Sequence, residues 1–345
     1  MSPFYQQRAD RPQNYARLMI APDRQLDRKL DNIRAGLYTP ADFIVADAKD
    51  GDMAFGLQAP GPNPDGTLKT KPEYLDAMTT MTESGLVDVM LLSASSAETL
   101  AQRGVFEHSV ATPAVRMNDT TDIWMARGSS YREHPSAPFS TADIDLVSSF
   151  CNLGLYSMTF SNDLEADRAS LEAYRNFRHT IRPYGFRHFL EVFNPAFDIG
   201  IPDDALGDYV NDMIIKAIAG VISRDAPQFL KIQFNGAKAM SELASYDPEN
   251  LIVGILGGAK GTTRDTFELA HQAEQSGARV ALFGRKINLS EAPVELIRLM
   301  RATIEQELSP TQAVERYHEH LGEHGMTPHR ALEDDLQITE LVLES

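Results

Sequence analysis

Along the chain, short apolar runs alternate with longer segments whose apolar residues recur every three or four positions. The runs are Phe43-Ile44-Val45-Ala46-Asp47, Val87 to Leu92, Ala114-Val115-Arg116-Met117-Asn118, Leu155 to Phe160, His188 to Phe193, Phe229 to Phe234, Leu251 to Leu256 and Val280 to Phe283. Runs of this length with helical periodicity between them are the pattern of parallel βα units. The periodicity predicts helices over Asp163 to Ile181, Asp203 to Ser223 and Arg264 to Ser276, the last stopped by Gly277. Eight strand and helix pairs close into an α/β barrel of the (β/α)8 or TIM type, here residues 41–309. Residues 1–40 read as an N-terminal arm and a helix covering the bottom of the barrel, and 310–345 as a C-terminal helical extension rich in Glu and His. Two connections are long and polar: 51–72, with four prolines, and 118–138, which carries Trp124, Gly128 and Pro135 and is predicted to fold over the barrel mouth.

Polar residues that interrupt the apolar runs mark the chemistry, because barrel enzymes place their working groups at the C-terminal ends of strands. Lys231 lies in Phe229-Leu230-Lys231-Ile232-Gln233-Phe234, where Lys231 and Gln233 share one parity and the apolar residues share the other. Burial drives a lysine toward its neutral form, and a neutral amine attacks carbonyls. A lysine in this setting can also snorkel to solvent or simply pair with a carboxylate. On the preceding run, Glu191 interrupts His188-Phe189-Leu190-Glu191-Val192-Phe193, about 5 Å away across the sheet. It is placed either to shuttle protons for the lysine or to form a buried ion pair with it.

The first run ends in Asp47-Ala48-Lys49-Asp50-Gly51-Asp52. Asp47 and Lys49 share a parity, as do Arg116 and Asn118 on the third run, which can bind substrate oxygens or fill the barrel interior by pairing with Asp47; Lys49, Arg116 and Lys260 are read as possible substrate contacts. Three carboxylates in six residues also admit a Mg²⁺ or Ca²⁺ site, although a calcium loop beginning at Asp47 has Gln58 where its distal Glu belongs. Two glycine turns follow the seventh and eighth runs, Gly257-Gly258 with Lys260 close by and Gly284-Arg285. Such turns let backbone N–H groups approach an anion, and this pair of loops is the usual phosphate site of the barrel. The alternative is two tight turns with incidental basic residues.

Charge and composition narrow the function. With 49 acidic against 32 basic residues and a net charge of −17, the chain lacks the basic stripe that nucleic-acid binding needs. No apolar stretch is long enough to span a membrane, and Met1 to Arg8 has no signal-peptide core, so a cytoplasmic protein is expected. Cys151 is the sole cysteine and reads as a core residue. Histidines do not gather at strand ends, which argues against zinc.

In its ordered strand ends, from residue 40 to 305, the chain resembles the class I aldolase superfamily that includes archaeal-type fructose-bisphosphate aldolases and class I tagatose-bisphosphate aldolases. The resemblance implies that Lys231 forms an imine with a ketose phosphate and that no separate cofactor or metal is used. It implies further that Asp47 is the strand-one aspartate and that Gly257, Gly258, Gly284 and Arg285 hold the phosphate. Where the archaeal-type enzymes have a strand-four tyrosine, this chain has Phe160, with Tyr156 four residues earlier. In the tagatose-bisphosphate branch a strand-five glutamate transfers the proton, and Glu191 matches it. The expectation is an aldehyde-lyase producing dihydroxyacetone phosphate and an aldehyde, acting as a homo-oligomer. Competing expectations are acyl-transfer or transaldol chemistry on the same lysine, a non-catalytic sugar-phosphate sensor, and a metal-dependent aldolase.

Overall fold

The computed structural model describes residues 24–63 and 65–344. Its core is a closed barrel of eight parallel strands: β1 Ile44–Lys49, β2 Val89–Leu92, β3 Thr112–Arg116, β4 Leu153–Thr159, β5 Arg187–Phe193, β6 Leu230–Ile232, β7 Gly254–Leu256 and β8 Val280–Phe283. Each strand pairs with its neighbour in sequence, and β8 closes onto β1 through Ile44↔Val280 to Asp47↔Phe283. The longer helices are α1 Gln25–Arg34, α2 Lys71–Glu83, α3 Ala94–Gln102, α4 Leu164–Ile181, α5 Asp203–Ile218, α6 Ala237–Tyr246, α7 Thr263–Gln275, α8 Pro293–Ile304 and α9 Pro310–Glu323. The eight-stranded barrel is the architecture the alternating pattern predicts. Of the expected N-terminal arm, the first 23 residues lie outside the described residues.

Two apolar clusters divide by strand parity, as alternation on a strand requires. Ile44, Ala46, Ala48, Val89, Leu91, Ala114, Leu153, Leu155, Phe189, Phe229, Val280 and Leu282 fill the barrel interior, and Leu26, Leu30 and Ile33 of α1 join them. Val45, Met90, Val115, Met158, Leu190, Leu230, Ile255 and Ala281 belong to the other cluster, facing the helices. The α1 helix plugs the N-terminal end of the barrel, where buried Lys29 donates to the Phe43 carbonyl at 2.8 Å and to Asp88 at 3.0 Å. Helix starts follow local chemistry: the side chains of Thr70 and Thr262 cap α2 and α7 with reciprocal capping boxes, and Asp163 caps α4.

Between β3 and β4 a long excursion carries only short helical turns, Thr121–Ile123, Tyr131–Glu133 and Ile144–Val147, among the described residues. The excursion holds a two-residue antiparallel pairing, Asp119–Thr120 with Pro138–Phe139, and an aromatic stack in which Trp124 lies 5.3 Å from Tyr131 and 5.1 Å from Phe139. Among the described residues, no helix is long and apolar enough to cross a membrane.

Candidate active site

The mouth of the barrel opens into a cavity of about 560 Å³ at the C-terminal ends of the strands. Volumes of this order suit a small molecule. The register of β4, β5 and β6 sets its centre, because Ser157 lies opposite Glu191 and Glu191 opposite Lys231. All three share the interior parity of Leu155, Phe189 and Phe229. Lys231 is 5 % exposed and Glu191 1 %. Glu191 Oε1 lies 2.6 Å from Lys231 Nζ, while Oε2 accepts from Ser157 Oγ at 2.7 Å and from Arg116 Nη2 at 3.0 Å.

Arg116, from the end of β3, is the hub of this network. Its Nη1 donates to Asp119 Oδ1 at 3.0 Å and to Ser157 Oγ at 3.1 Å, and its Nε to Asp50 Oδ2. Burial by itself would depress the guanidinium, but Asp50, Asp119 and Glu191 together raise it above its ordinary value. The effect on the carboxylates differs. Burial pushes Asp50 upward, yet Arg116 and then Lys231 reverse this and hold it below the usual carboxylate range. Burial wins at Asp119, which is raised to about 6 despite Arg116.

Asp50 is the residue the strand pattern alone did not single out. On β1 the interior parity is Ile44, Ala46 and Ala48, and the next step of that alternation is Asp50, which lines the cavity. Asp47 and Lys49 have the opposite parity. They are buried against the helical layer as a pair 3.1 Å apart, away from the cavity lining, and Lys49 offers its carbonyl to Tyr74 Oη at 2.9 Å. The expectation that Asp47 and Lys49 face a substrate is therefore corrected, and Asp50 is the aspartate of this run that lines the cavity. Its signal was available: two small alanines in alternation leave room inside a narrow barrel, and the polar residue continuing that alternation points inward.

The three carboxylates of the Asp47 to Asp52 run do not converge on a common point. Asp47 meets Lys49, Asp50 meets Arg116, and Asp52 meets Lys71 at 2.9 Å and Ser93 Oγ at 2.8 Å. No group of three or more His, Cys, Asp or Glu side chains forms a metal-binding arrangement among the described residues. Asn118, also weighed as a substrate contact, bonds the β4 backbone instead: it donates to the Ser157 carbonyl at 2.8 Å and accepts from the Ser157 N–H at 2.6 Å.

The two glycine turns sit on the same rim, and Gly257, Gly258, Gly284 and Arg285 all line the cavity. Gly258 has φ +67°, and Gly284 passes so close to β1 that a Cβ there would sit 2.9 Å from the Ala48 carbonyl oxygen. Lys260, expected among the substrate contacts, is turned to the C-terminal extension, where its Nζ meets His329 Nδ1. Lys286 is buried with Glu340 at 2.6 Å. The C-terminal extension thus supports both turns from behind, a role its polar composition did not announce. Thr339 and Glu340 donate their N–H groups to Asp265 at 2.7 and 3.2 Å, and Asp335 accepts from the Thr263 N–H at 2.8 Å.

The excursion between β3 and β4 reaches the same rim, contributing Asp122, Ile123, Met125 and Arg132 to the cavity wall. Asp122 is fully buried and is raised by that burial; the Thr159 hydroxyl donates to its Oδ1 at 3.3 Å.

No protein-family model matches the chain, and no curated protein matches it by sequence. Solved structures do match in fold. A structure of an archaeal fructose 1,6-bisphosphate aldolase superposes with a TM-score of 0.61 at 13 % identity, covering 81 % of this chain and 99 % of that one. An archaeal fructose-1,6-bisphosphate aldolase with its catalytic lysine covalently bound to the carbinolamine intermediate gives 0.60 at 13 % identity over the same shares. The fructose-bisphosphate aldolase from Slackia heliotrinireducens gives 0.61 at 14 % identity, covering 92 % of this chain and 96 % of that one. The chain therefore has the (β/α)8 barrel fold of the Schiff-base fructose-bisphosphate aldolases.

Proposed function

We propose that the protein is a class I aldolase that cleaves a phosphorylated ketose to dihydroxyacetone phosphate and an aldehyde through an imine at Lys231. The observation that carries this reading is the buried Lys231 to Glu191 pair at the cavity floor, 2.6 Å apart and in register, beneath two glycine turns suited to a phosphate.

The chemistry runs as follows. The Lys231 ammonium gives a proton to Glu191 Oε1, and the free amine adds to the ketone carbon to form a carbinolamine. Glu191 returns that proton to the carbinolamine hydroxyl, which leaves as water, so the protonated imine forms beside a Glu191 carboxylate, with Asp50 close enough to Lys231 to stabilise the developing cation. Glu191 then accepts the proton of the hydroxyl on the fourth carbon as the bond between the third and fourth carbons breaks. The bonding pair flows to the imine nitrogen, and the aldehyde departs. Protonation of the enamine at the third carbon and addition of water release dihydroxyacetone phosphate and restore the lysine. Ser157 and Arg116 fix the carboxylate throughout. Gly257, Gly258, Gly284 and Arg285 hold the phosphate and so set the register of the carbon chain against Lys231.

The test is borohydride reduction in the presence of dihydroxyacetone phosphate, followed by intact-mass and peptide mass spectrometry. The expected result is one reduced adduct, on the peptide containing Lys231. Absence of an adduct at any lysine, with the ligand bound, would overturn the imine mechanism and favour a non-catalytic sugar-phosphate sensor.

A further inference from the structure

The cations of this cavity fall into two sets. Lys231 and Arg116 are matched by Glu191, Asp50 and Asp119. Arg132 and Arg285 also line the cavity, yet neither has a carboxylate within ion-pairing distance among the described residues. In a chain with 49 acidic and 32 basic residues, two unmatched guanidiniums on one rim are an unusual arrangement. They come from different elements. Arg285 follows the Gly284 turn after β8, and its guanidinium lies 5.2 Å from the centre of the Phe55 ring. Arg132 belongs to a helical turn of the excursion, Tyr131–Glu133, whose Tyr131 ring stacks on Trp124. The excursion is tied to the loop carrying Phe55, since the Met125 N–H donates to the Ala54 carbonyl at 2.8 Å. Burial, and then the like charge of Arg132, hold Arg285 below the ordinary arginine value, so the two cations feel one another.

We infer that Arg132 and Arg285 form a two-guanidinium clamp for a single dianionic phosphate group, with the excursion between β3 and β4 delivering half of it. The inference rests on the sugar-phosphate reading above only in naming the ligand. Two like charges facing one cavity repel until an anion lies between them, and guanidinium forks match phosphate oxygens bidentately. The excursion is therefore a recognition element for the phosphate end of the substrate as well as a wall of the cavity. Trp124 is the sole tryptophan of the chain, and its stack on the neighbour of Arg132 makes its fluorescence a native reporter of the clamp.

The experiment titrates inorganic phosphate into the full-length Lys231→Met protein, in which no imine can form, and follows heat and Trp124 emission. Phosphate should bind and shift the emission. Adding Arg132→Gln or Arg285→Gln should weaken binding about tenfold to a hundredfold, the scale of a lost charge-assisted hydrogen-bond pair, and Arg132→Lys should fall between. Arg132 is exposed, so its substitution should leave the thermal midpoint unchanged. Unaltered phosphate affinity in the Arg132→Gln protein, or no phosphate binding in its parent, would overturn the clamp. Borohydride trapping separates the two readings. Trapping of dihydroxyacetone phosphate at equal half-saturation with and without Arg132 removes the clamp and leaves the aldolase. Phosphate binding that needs both arginines in a protein that never traps supports the clamp and removes the aldolase.

Discussion

Glu191 and Lys231 face one another in register across β5 and β6, with Oε1 and Nζ 2.6 Å apart. The other oxygen of the carboxylate is held by Ser157 and Arg116, so Glu191 is anchored on one side and turned to the lysine on the other. A purely structural buried pair stabilises little relative to apolar residues of the same size. Set at the floor of a cavity and braced by two further residues, this one has the geometry of a proton-transfer couple.

Glu191→Gln preserves the shape of that couple and removes its basicity. The variant should lose about a hundredfold to ten-thousandfold in cleavage rate, the range of a general base, while still binding a ketose phosphate. Lys231→Met should abolish both turnover and the borohydride adduct. Steady-state cleavage assays with mass spectrometry of the reduced protein measure both effects, and wild-type cleavage by Glu191→Gln would remove Glu191 from the proton-transfer role.

Asp50 and Asp47 make a matched test, because Asp47 is on the helix-facing side of β1 while Asp50, one residue past its end, lines the cavity. Asp50→Asn should cut turnover by about a hundredfold or more, since Asp50 lines the cavity and its charge bears on Lys231. Asp47→Asn leaves the buried Lys49 without its carboxylate and should lower the thermal midpoint, with a cost of about 3 kcal/mol, while the folded protein keeps its activity. If the two variants exchanged these effects, the parity assignment on β1 would be wrong.

That parity is where the sequence could be misread. Eight apolar runs and their spacing made the barrel legible, and Lys231 and Glu191 stood out because each interrupts an apolar run whose other members are unambiguous. The first run offered no such contrast: Asp47, Lys49, Asp50 and Asp52 are all polar, and the choice between faces rested on the alternation of Ala46 and Ala48, small residues that carry little hydrophobic signal. Lys260 was misleading for another reason. Its partner His329 lies in the C-terminal extension, and a pairing over such sequence separation leaves no local pattern. Arg132 was hidden in a polar loop of the kind whose path only the folded barrel defines.

His188 predicts an acid sensitivity that has nothing to do with catalysis. It faces the helical layer on β5, where its Nε2 pairs with Tyr174 Oη at 2.8 Å, and burial, then Arg178, lower it from the ordinary 6.5 to about 3. A folded-state value below the unfolded one means the neutral imidazole contributes stability above pH 6.5, lost progressively as pH falls toward about 3. Thermal midpoints should therefore drop across that window. In His188→Phe the drop should be shallower, although the variant starts lower at neutral pH by about 1–3 kcal/mol because Tyr174 loses its partner. Parallel slopes for the two proteins would assign the acid loss to other groups.

The C-terminal extension makes its own prediction through Lys286, whose side chain is fully buried and whose partner Glu340 is 2.6 Å away. Burial lowers this lysine and Glu340 supports its charge, so removing the carboxylate leaves a buried cation with little to offset its desolvation. Breaking such a pair costs about 3–5 kcal/mol when both partners are buried; Glu340 is 26 % exposed, and Glu340→Gln should cost about 2–3 kcal/mol. Lys286 directly follows Arg285, so the loss should also loosen the Gly284 turn and raise the half-saturating concentration of dihydroxyacetone phosphate in borohydride trapping. Lys286→Met combined with Glu340→Gln should recover most of the stability, since no uncompensated charge then remains in the interior. Thermal denaturation of the two single variants and the double variant measures that coupling, and strictly additive losses would show that Glu340 supports the turn by some route other than the lysine.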